Sequence, residues 1–97
     1  MDVVKEIKNV LSSGSVTVGS NTTKTACIQG EVSLVIVAAN CPLAYIQEMK
    51  SNHPEVVLHQ LDFANRDLGT ACGKPFPVAV IGIKDAGSSE ILTLEAN

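Results

Sequence analysis

Apolar and polar positions along this 97-residue chain change their period several times, and each change marks an element. Val4, Ile7, Val10 and Leu11 recur at three- and four-residue steps, one face of an amphipathic helix. Asp2 can cap its start and Gly14 can end it. "SVTV" (15–18) reads as a short strand. Asn21 then predicts the N-cap of a second helix through Gln29, with Gly30 as the residue that stops it. "SLVIVAA" (33–39) is an unbroken apolar run of strand length, as expected for a strand covered on both faces. In "NCPLAYIQEMKSN" Pro42 suits a first helical turn, and Leu43, Ile46 and Met49 form the inward stripe. His53 and Pro54 break that helix. "VVLHQL" (56–61) predicts a third strand. "NRDLGTACG" (65–73) predicts a short helix capped by Asn65 and closed by Gly73. "VAVIGIK" (78–84) is a fourth strand, "DAGSSE" (85–90) a turn, and "ILTL" (91–94) a last short element. Helices and strands alternate throughout, which predicts an α/β domain with helices on both faces of one sheet.

Length and composition narrow the function classes. Ninety-seven residues, 45% of them hydrophobic, suffice for one domain with its own core. No run of eighteen apolar residues occurs, and charges interrupt the N-terminal "MDVVKEIKNV", so neither a membrane span nor a signal peptide is expected. A soluble intracellular protein is the expectation. Cys27, Cys41 and Cys72 are three in number, form no CxxC and have no His at ligand spacing, so buried reduced thiols are expected rather than a metal site. The formal net charge of −3 gives no bulk support to a nucleic-acid partner; such a partner would need a local patch.

Candidate chemistry collects in three loops, 18–24, 39–43 and 73–77, because ligands of open α/β sheets bind beyond one set of strand ends. A phosphate loop is excluded: "GSNTTK" lacks the second glycine of GxxxxGK[ST]. No pair of carboxylates is singled out by spacing as an acid and a base. What remains is a polar recognition surface, with the amides of Asn21 and Asn40, the cations Lys24 and Lys74, and the backbone N–H groups at the start of the second helix. The competing reading makes Asn21 a plain cap and Lys24 a solvated surface residue. Lys24 poses a question of its own. A positive charge one turn into a helix is mildly unfavourable, and becomes sensible only with something negative in front of it.

Two segments carry a resemblance. "DLGTACGKPFPVAV" (67–80) with "DAGSSEIL" (85–92), and "VGSNTTKTACIQGEVSLVIVAANCP" (18–42), resemble the archaeal and eukaryotic large-subunit ribosomal protein thirty-e family, within the wider group of kink-turn RNA binders typified by ribosomal protein seven-Ae. The resemblance covers nearly the whole chain. It implies a single RNA-binding domain over residues 1–97, built as a three-layer α-β-α sandwich around a mixed, four-stranded sheet. It implies a structural component of the large ribosomal subunit, without catalysis, cofactor or metal, in the cytoplasm. A stand-alone kink-turn binder of the same superfamily is the alternative. Its partners would be kink-turn or internal-loop ribosomal RNA and neighbouring ribosomal proteins, with a monomer expected when free. Carried over by position, Gly19 lets the backbone approach RNA, Asn21 and Lys24 meet sheared G·A pairs, Asn40 flanks them, and Ser20 belongs to the same RNA-binding loop. Gly73, Lys74, Pro75 and Phe76 form the loop that meets an unstacked nucleotide. On that reading the negative partner of Lys24 is the RNA backbone. The chain departs from the family wording at the nearly neutral "SNTT", at Ala86 in place of a proline, and at Phe76–Pro77, where an arginine is common.

Overall fold

In a computed structural model, which describes residues 2–97, the chain forms four α-helices and four strands in strict alternation, followed by one turn of 3₁₀ helix at Ile91–Thr93. Helix α1 (Val3–Ser13) begins where Asp2 accepts a hydrogen bond from the Lys5 N–H and ends at Gly14. It leads into β1 (Ser15–Val18), α2 (Ser20–Ile28) and β2 (Leu34–Val37). Helix α3 (Leu43–Asn52), β3 (Val57–Gln60), α4 (Asn65–Ala71) and β4 (Val80–Asp85) complete the order. No helix among the described residues is long and apolar enough to cross a membrane.

The strands lie in the order β1-β4-β2-β3, with β4 antiparallel to both its neighbours and β2 parallel to β3. The sheet is therefore mixed. Alternation along β2 shows why it is covered on both sides. Leu34 and Ile36 face a core shared with Ile7 and Val10 of α1, Leu68 of α4 and the 3₁₀ residue Ile91. Val35 and Val37 face the opposite core, with Ala26 and Cys27 of α2 and Ile46 and Met49 of α3. The result is the expected three-layer α-β-α sandwich, with α1 and α4 on one face and α2 and α3 on the other. Each fully buried Ile, Leu or Val contributes about 1.5–3 kcal/mol, so the buried stripes set the layering more strongly than any helix propensity does.

Strand direction fixes where the loops gather. Because β1, β2 and β3 run one way and β4 the other, the C-terminal ends of the first three and the N-terminal end of β4 share one edge of the sandwich. Hydrogen bonds stitch that edge together: Gly19 N–H donates to the Val80 carbonyl at 2.9 Å, Ala38 N–H to Ala79 at 2.9 Å, and Ala39 N–H to Phe63 at 2.8 Å. The loops 18–24, 39–43 and 73–77 all lie there.

Several local expectations are corrected. Asn21 is not the N-cap of α2. The helix starts a residue earlier, and Gly19 occupies the cap position with φ +105° and ψ 154°, a conformation that an L side chain rarely adopts. The chain turns there so abruptly, with Gly19 still bonded to β4, that the helix begins directly after β1. Asn65 likewise is the first residue of α4, with Ala64 at the cap position. Pro42 sits at the cap of α3 rather than inside its first turn. Leu43, assigned to the inward stripe, is 65% exposed because the first residue of α3 projects past the sheet edge. The strands predicted over 33–39, 56–61 and 78–84 pair over shorter or shifted spans. Buried Ala38 and Leu61 carry the apolar runs past the ends of β2 and β3, and buried Val78 begins its run before β4 starts.

Candidate nucleic-acid interface

Of the residues expected at the site, Gly19, Ser20, Lys74 and Phe76 line one groove of about 430 Å³ between the start of α2 and the 74–79 segment. Phe76 is 54% exposed, a ring held in solvent at the rim. Helix α2 has no side-chain cap, so the first-turn N–H groups of Ser20, Asn21 and Thr22 point off the sheet edge without intrahelical acceptors. Asn21 is exposed and available. These groups can donate to an anionic or carbonyl-rich ligand, and the ring offers a face on which a planar group can stack.

The segment 73–77 is stiff. Gly73, with φ +70°, turns the chain out of α4. The Lys74 N–H then donates to the Gly69 carbonyl at 2.9 Å, and the Val78 N–H to the Asn65 carbonyl at 3.0 Å. Prolines at 75 and 77 fix the backbone between these ties. Gly69 lets the segment lie directly on α4, because a Cβ there would run into the Phe76 carbonyl oxygen.

Asn40 and Lys24 are engaged in ways the sequence did not show. The Asn40 side chain clasps Asn65, accepting from its backbone N–H at 2.9 Å and donating to its side-chain oxygen at 3.1 Å. Asn40 thus holds the start of α4 and, through it, the anchored loop. Lys24 forms an ion pair with Glu48 of α3, both side chains part exposed. The negative group in front of Lys24 is, in the free protein, a carboxylate of its own chain. One turn earlier the Tyr45 hydroxyl donates to the Ser20 carbonyl at 2.9 Å. Two bonds at matching spacing therefore tie α3 to the first turns of α2. Burial, reinforced by Cys27, Cys41 and Glu48, pushes the Tyr45 hydroxyl up to about 12. All three cysteines are buried, and desolvation raises each thiol above its ordinary value.

Sequence reasoning missed Tyr45, Glu48 and Asn65. The first two act across a helix–helix seam. Their spacing of three matches the spacing of four between Ser20 and Lys24, but only once the helices are known to be neighbours. A readable signal was also missed. No acidic residue occurs within 7–30, 32–47 or 68–84, so all three loops lie in stretches free of carboxylates. The ten acids sit outside those stretches; Glu48 pairs with Lys24, and exposed Asp62 and Asp67 lie after β3 and in the first turn of α4.

The family model of the ribosomal protein L7Ae/L30e/S12e/Gadd45 family matches residues 1–93. The chain belongs to that family. Its relatives in the L7Ae/L30e/S12e/Gadd45 family include the large ribosomal subunit protein eL30 of Methanosphaerula palustris, 35% identical over 98% of this chain and 98% of that protein. The eL30 of Methanospirillum hungatei is 37% identical over 97% and 98%. That of the yeast Yarrowia lipolytica is 38% identical over 88% of this chain and 80% of its own. The L7Ae-family chain is thus similar, over nearly its full length, to proteins of both archaea and a eukaryote that carry the same name.

Proposed function

We propose that this chain is a structural protein of the large ribosomal subunit, a single RNA-binding domain that seats a kink-turn or related internal loop of ribosomal RNA. The observation that carries the reading is the shared groove, where the uncapped start of α2 faces Lys74 and Phe76, in a chain whose relatives are named eL30. The backbone N–H groups of Ser20 and Asn21 and the Asn21 amide would take base edges and phosphates; Phe76 would take an unstacked base. Gly19 admits the RNA because it carries no side chain, and Gly73 and Pro75 shape the opposite wall. Lys24 would exchange Glu48 for a phosphate. Asn40 acts by positioning α4. The buried thiols with raised pKa values support a role without thiol chemistry. The place of action is the cytoplasmic ribosome, among ribosomal RNA and neighbouring ribosomal proteins, and the free protein is a monomer.

A gel-shift titration tests this. The RNA is a kink-turn stem, compared with the same stem whose two G·A pairs are made Watson–Crick, at two salt concentrations. The expected result is selective binding to the kinked stem with a shallow salt slope of roughly −2 to −3, for two or three neutralised phosphates. Equal or absent binding of both stems overturns autonomous recognition.

A further inference from the structure

Helix α2 rests on the sheet through small side chains. Its buried residues are Thr23, Ala26 and Cys27, three and four apart on one face. The first of them is polar. Among the described residues, Thr23 and Thr17 of β1 are the only buried polar side chains, and Thr23 is wholly enclosed. Their hydroxyl oxygens lie 2.9 Å apart. The Thr17 hydroxyl donates to the Gly82 carbonyl of β4 at 3.4 Å, a long bond. With that proton committed, Thr23 donates to Thr17. Gly82 makes the approach possible, since a Cβ there would lie 2.6 Å from the Thr17 hydroxyl oxygen and 2.9 Å from the Thr23 methyl. β1, β4 and α2 thus meet at one buried polar point beneath the first turn of α2.

The chemistry of this pair favours orientation over stability. Threonine and valine share a shape, and replacing both partners of a buried hydrogen bond by apolar groups of like shape is nearly neutral. Apolar packing, however, is non-directional. Ala26 and Cys27 alone would let α2 roll, whereas a hydrogen bond prefers an angle above about 150°. A roll would strip the buried Thr23 hydroxyl of its acceptor, with no water to replace it. The candidate site needs that direction. Thr23 lies within one turn of Ser20 and Asn21, directly precedes Lys24, and donates its N–H to the Gly19 carbonyl at 3.1 Å. In a helix about 10–12 Å across, a roll of about 10° carries an outer atom by roughly 1 Å. N–H···O bonds span about 2.7–3.2 Å, so that displacement is enough to break an amide–base pairing. Tyr45 holds the Ser20 carbonyl from the α3 side, and the threonine pair holds the same turn from the sheet.

We propose that Thr17 and Thr23, seated on Gly82, are positioning residues for RNA recognition: their hydroxyl pair fixes the roll of α2 and so aims the Asn21 amide, the first-turn N–H groups and Lys24. This role rests on the RNA reading above and extends it to two buried residues that touch no ligand.

The test is the double variant Thr17→Val/Thr23→Val in the full chain, beside Thr23→Ser and the control Ile7→Val, which thins the core on the other face of the sheet. Each is melted, and each is titrated below its melting range with the kink-turn stem and with the Watson–Crick stem. Stability and selectivity should cross. The double variant should melt near the wild type while its preference for the kinked stem falls roughly 5-fold or more, the value of one lost amide–base contact. Thr23→Ser keeps the hydroxyl and loses a buried methyl, so it should melt lower and keep its preference. If the double variant keeps the wild-type preference, the positioning role is overturned and the α2 site stands. If its preference falls no further than that of Ile7→Val at equal loss of Tm, the hydroxyls act only through stability and the role is likewise overturned. If the wild type prefers neither stem, the RNA reading fails and the positioning role with it.

Discussion

Glu48→Gln should make the protein bind RNA more tightly while making it slightly less stable. In the free protein Lys24 is held by Glu48, with side chains 36% and 44% exposed. A phosphate that takes Lys24 must first displace that carboxylate. A part-exposed pair of this kind contributes about 0.2–1 kcal/mol. Removing the acid returns that amount to RNA binding, roughly a 1.5- to 5-fold fall in Kd. The same substitution withdraws the pair from the folded state. For a chain of this size, a loss of at most about 1 kcal/mol lowers Tm by no more than roughly 4–8 °C.

The assay is fluorescence anisotropy with the kink-turn stem, run as a double-mutant cycle on Glu48→Gln, Lys24→Ala and both together. The gain from Glu48→Gln should be largest at low salt and should shrink in the Lys24→Ala background, because there is no longer a cation to release. Two results refute the reasoning. One is weaker or unchanged binding by Glu48→Gln. The other is an equal gain with and without Lys24, which would reduce Glu48 to a general repulsive charge. Opposite signs for affinity and stability are the signature, since a merely damaged fold would lower both.

Other perturbations read other parts of the site. Gly69→Ala pushes a methyl group into the Phe76 carbonyl and should cost about 1–3 kcal/mol in a urea melt; it should also lift the 74–77 segment, so RNA selectivity falls more than a surface change would explain. Tyr45 is the sole tyrosine and the chain has no Trp, so alkaline difference absorbance should show a single phenolate midpoint near 12. A hydroxyl whose pKa is raised on folding contributes stability below its unfolded pKa of about 10 and loses it as pH rises toward about 12, so Tyr45→Phe should flatten that part of the stability profile. The Glu6 carboxylate accepts from the Glu90 N–H at 2.8 Å and the Ser89 hydroxyl at 2.9 Å, which lowers its pKa. Its contribution is present above the ordinary carboxylate pKa and lost as pH falls through its lowered folded value; amide exchange at Glu90 should quicken there, and Glu6→Gln should remove the pH dependence.

The sequence made the layers legible because burial was written in period. Val4, Ile7, Val10 and Leu11 could belong only to a one-faced helix, and 33–39 and 78–84 only to segments covered on both sides. The order of strands was not legible, since no local pattern records that β4 inserts between β1 and β2. Asn21 was misplaced as a cap because residue type suggested it, while the actual turn is made by Gly19 bonding to β4, a long-range contact. Leu43 was misassigned because the helical period carries no information about where the sheet beneath it ends. At the candidate site, the loop residues were proposed through resemblance and fold logic. The residues that hold those loops were not: Asn40 on Asn65, Tyr45 on Ser20 and Glu48 on Lys24 each join elements twenty or more residues apart. Such pairs become visible only when the helices are set side by side.

A net charge of −3 looked like the main obstacle to an RNA partner, and the fold changes what that number means. Affinity for a phosphate chain depends on the charge within about one Debye length, roughly 8 Å at physiological salt. The three loops at the sheet edge come from stretches that contain no acid, and Lys74 stands there unpaired among the described residues, while Arg66, also unpaired, has Asp67 as its chain neighbour. Much of the acidity lies in segments spent on structure. Asp2 caps α1, Glu6 anchors the 85–90 turn, and Glu31 pairs with Lys84. Asp62 and Asp67 are exposed near that edge, and Glu48 rests on Lys24 itself. On the RNA reading proposed above, a carboxylate resting on Lys24 would set a threshold, so that a ligand that also fills the neighbouring Ser20–Phe76 groove would repay the exchange. A random phosphate chain offers charge alone and gains little from Lys24. A bent RNA that also satisfied the α2 amides and stacked on Phe76, as proposed, would gain the rest, and in that way an acidic domain would favour shape over charge.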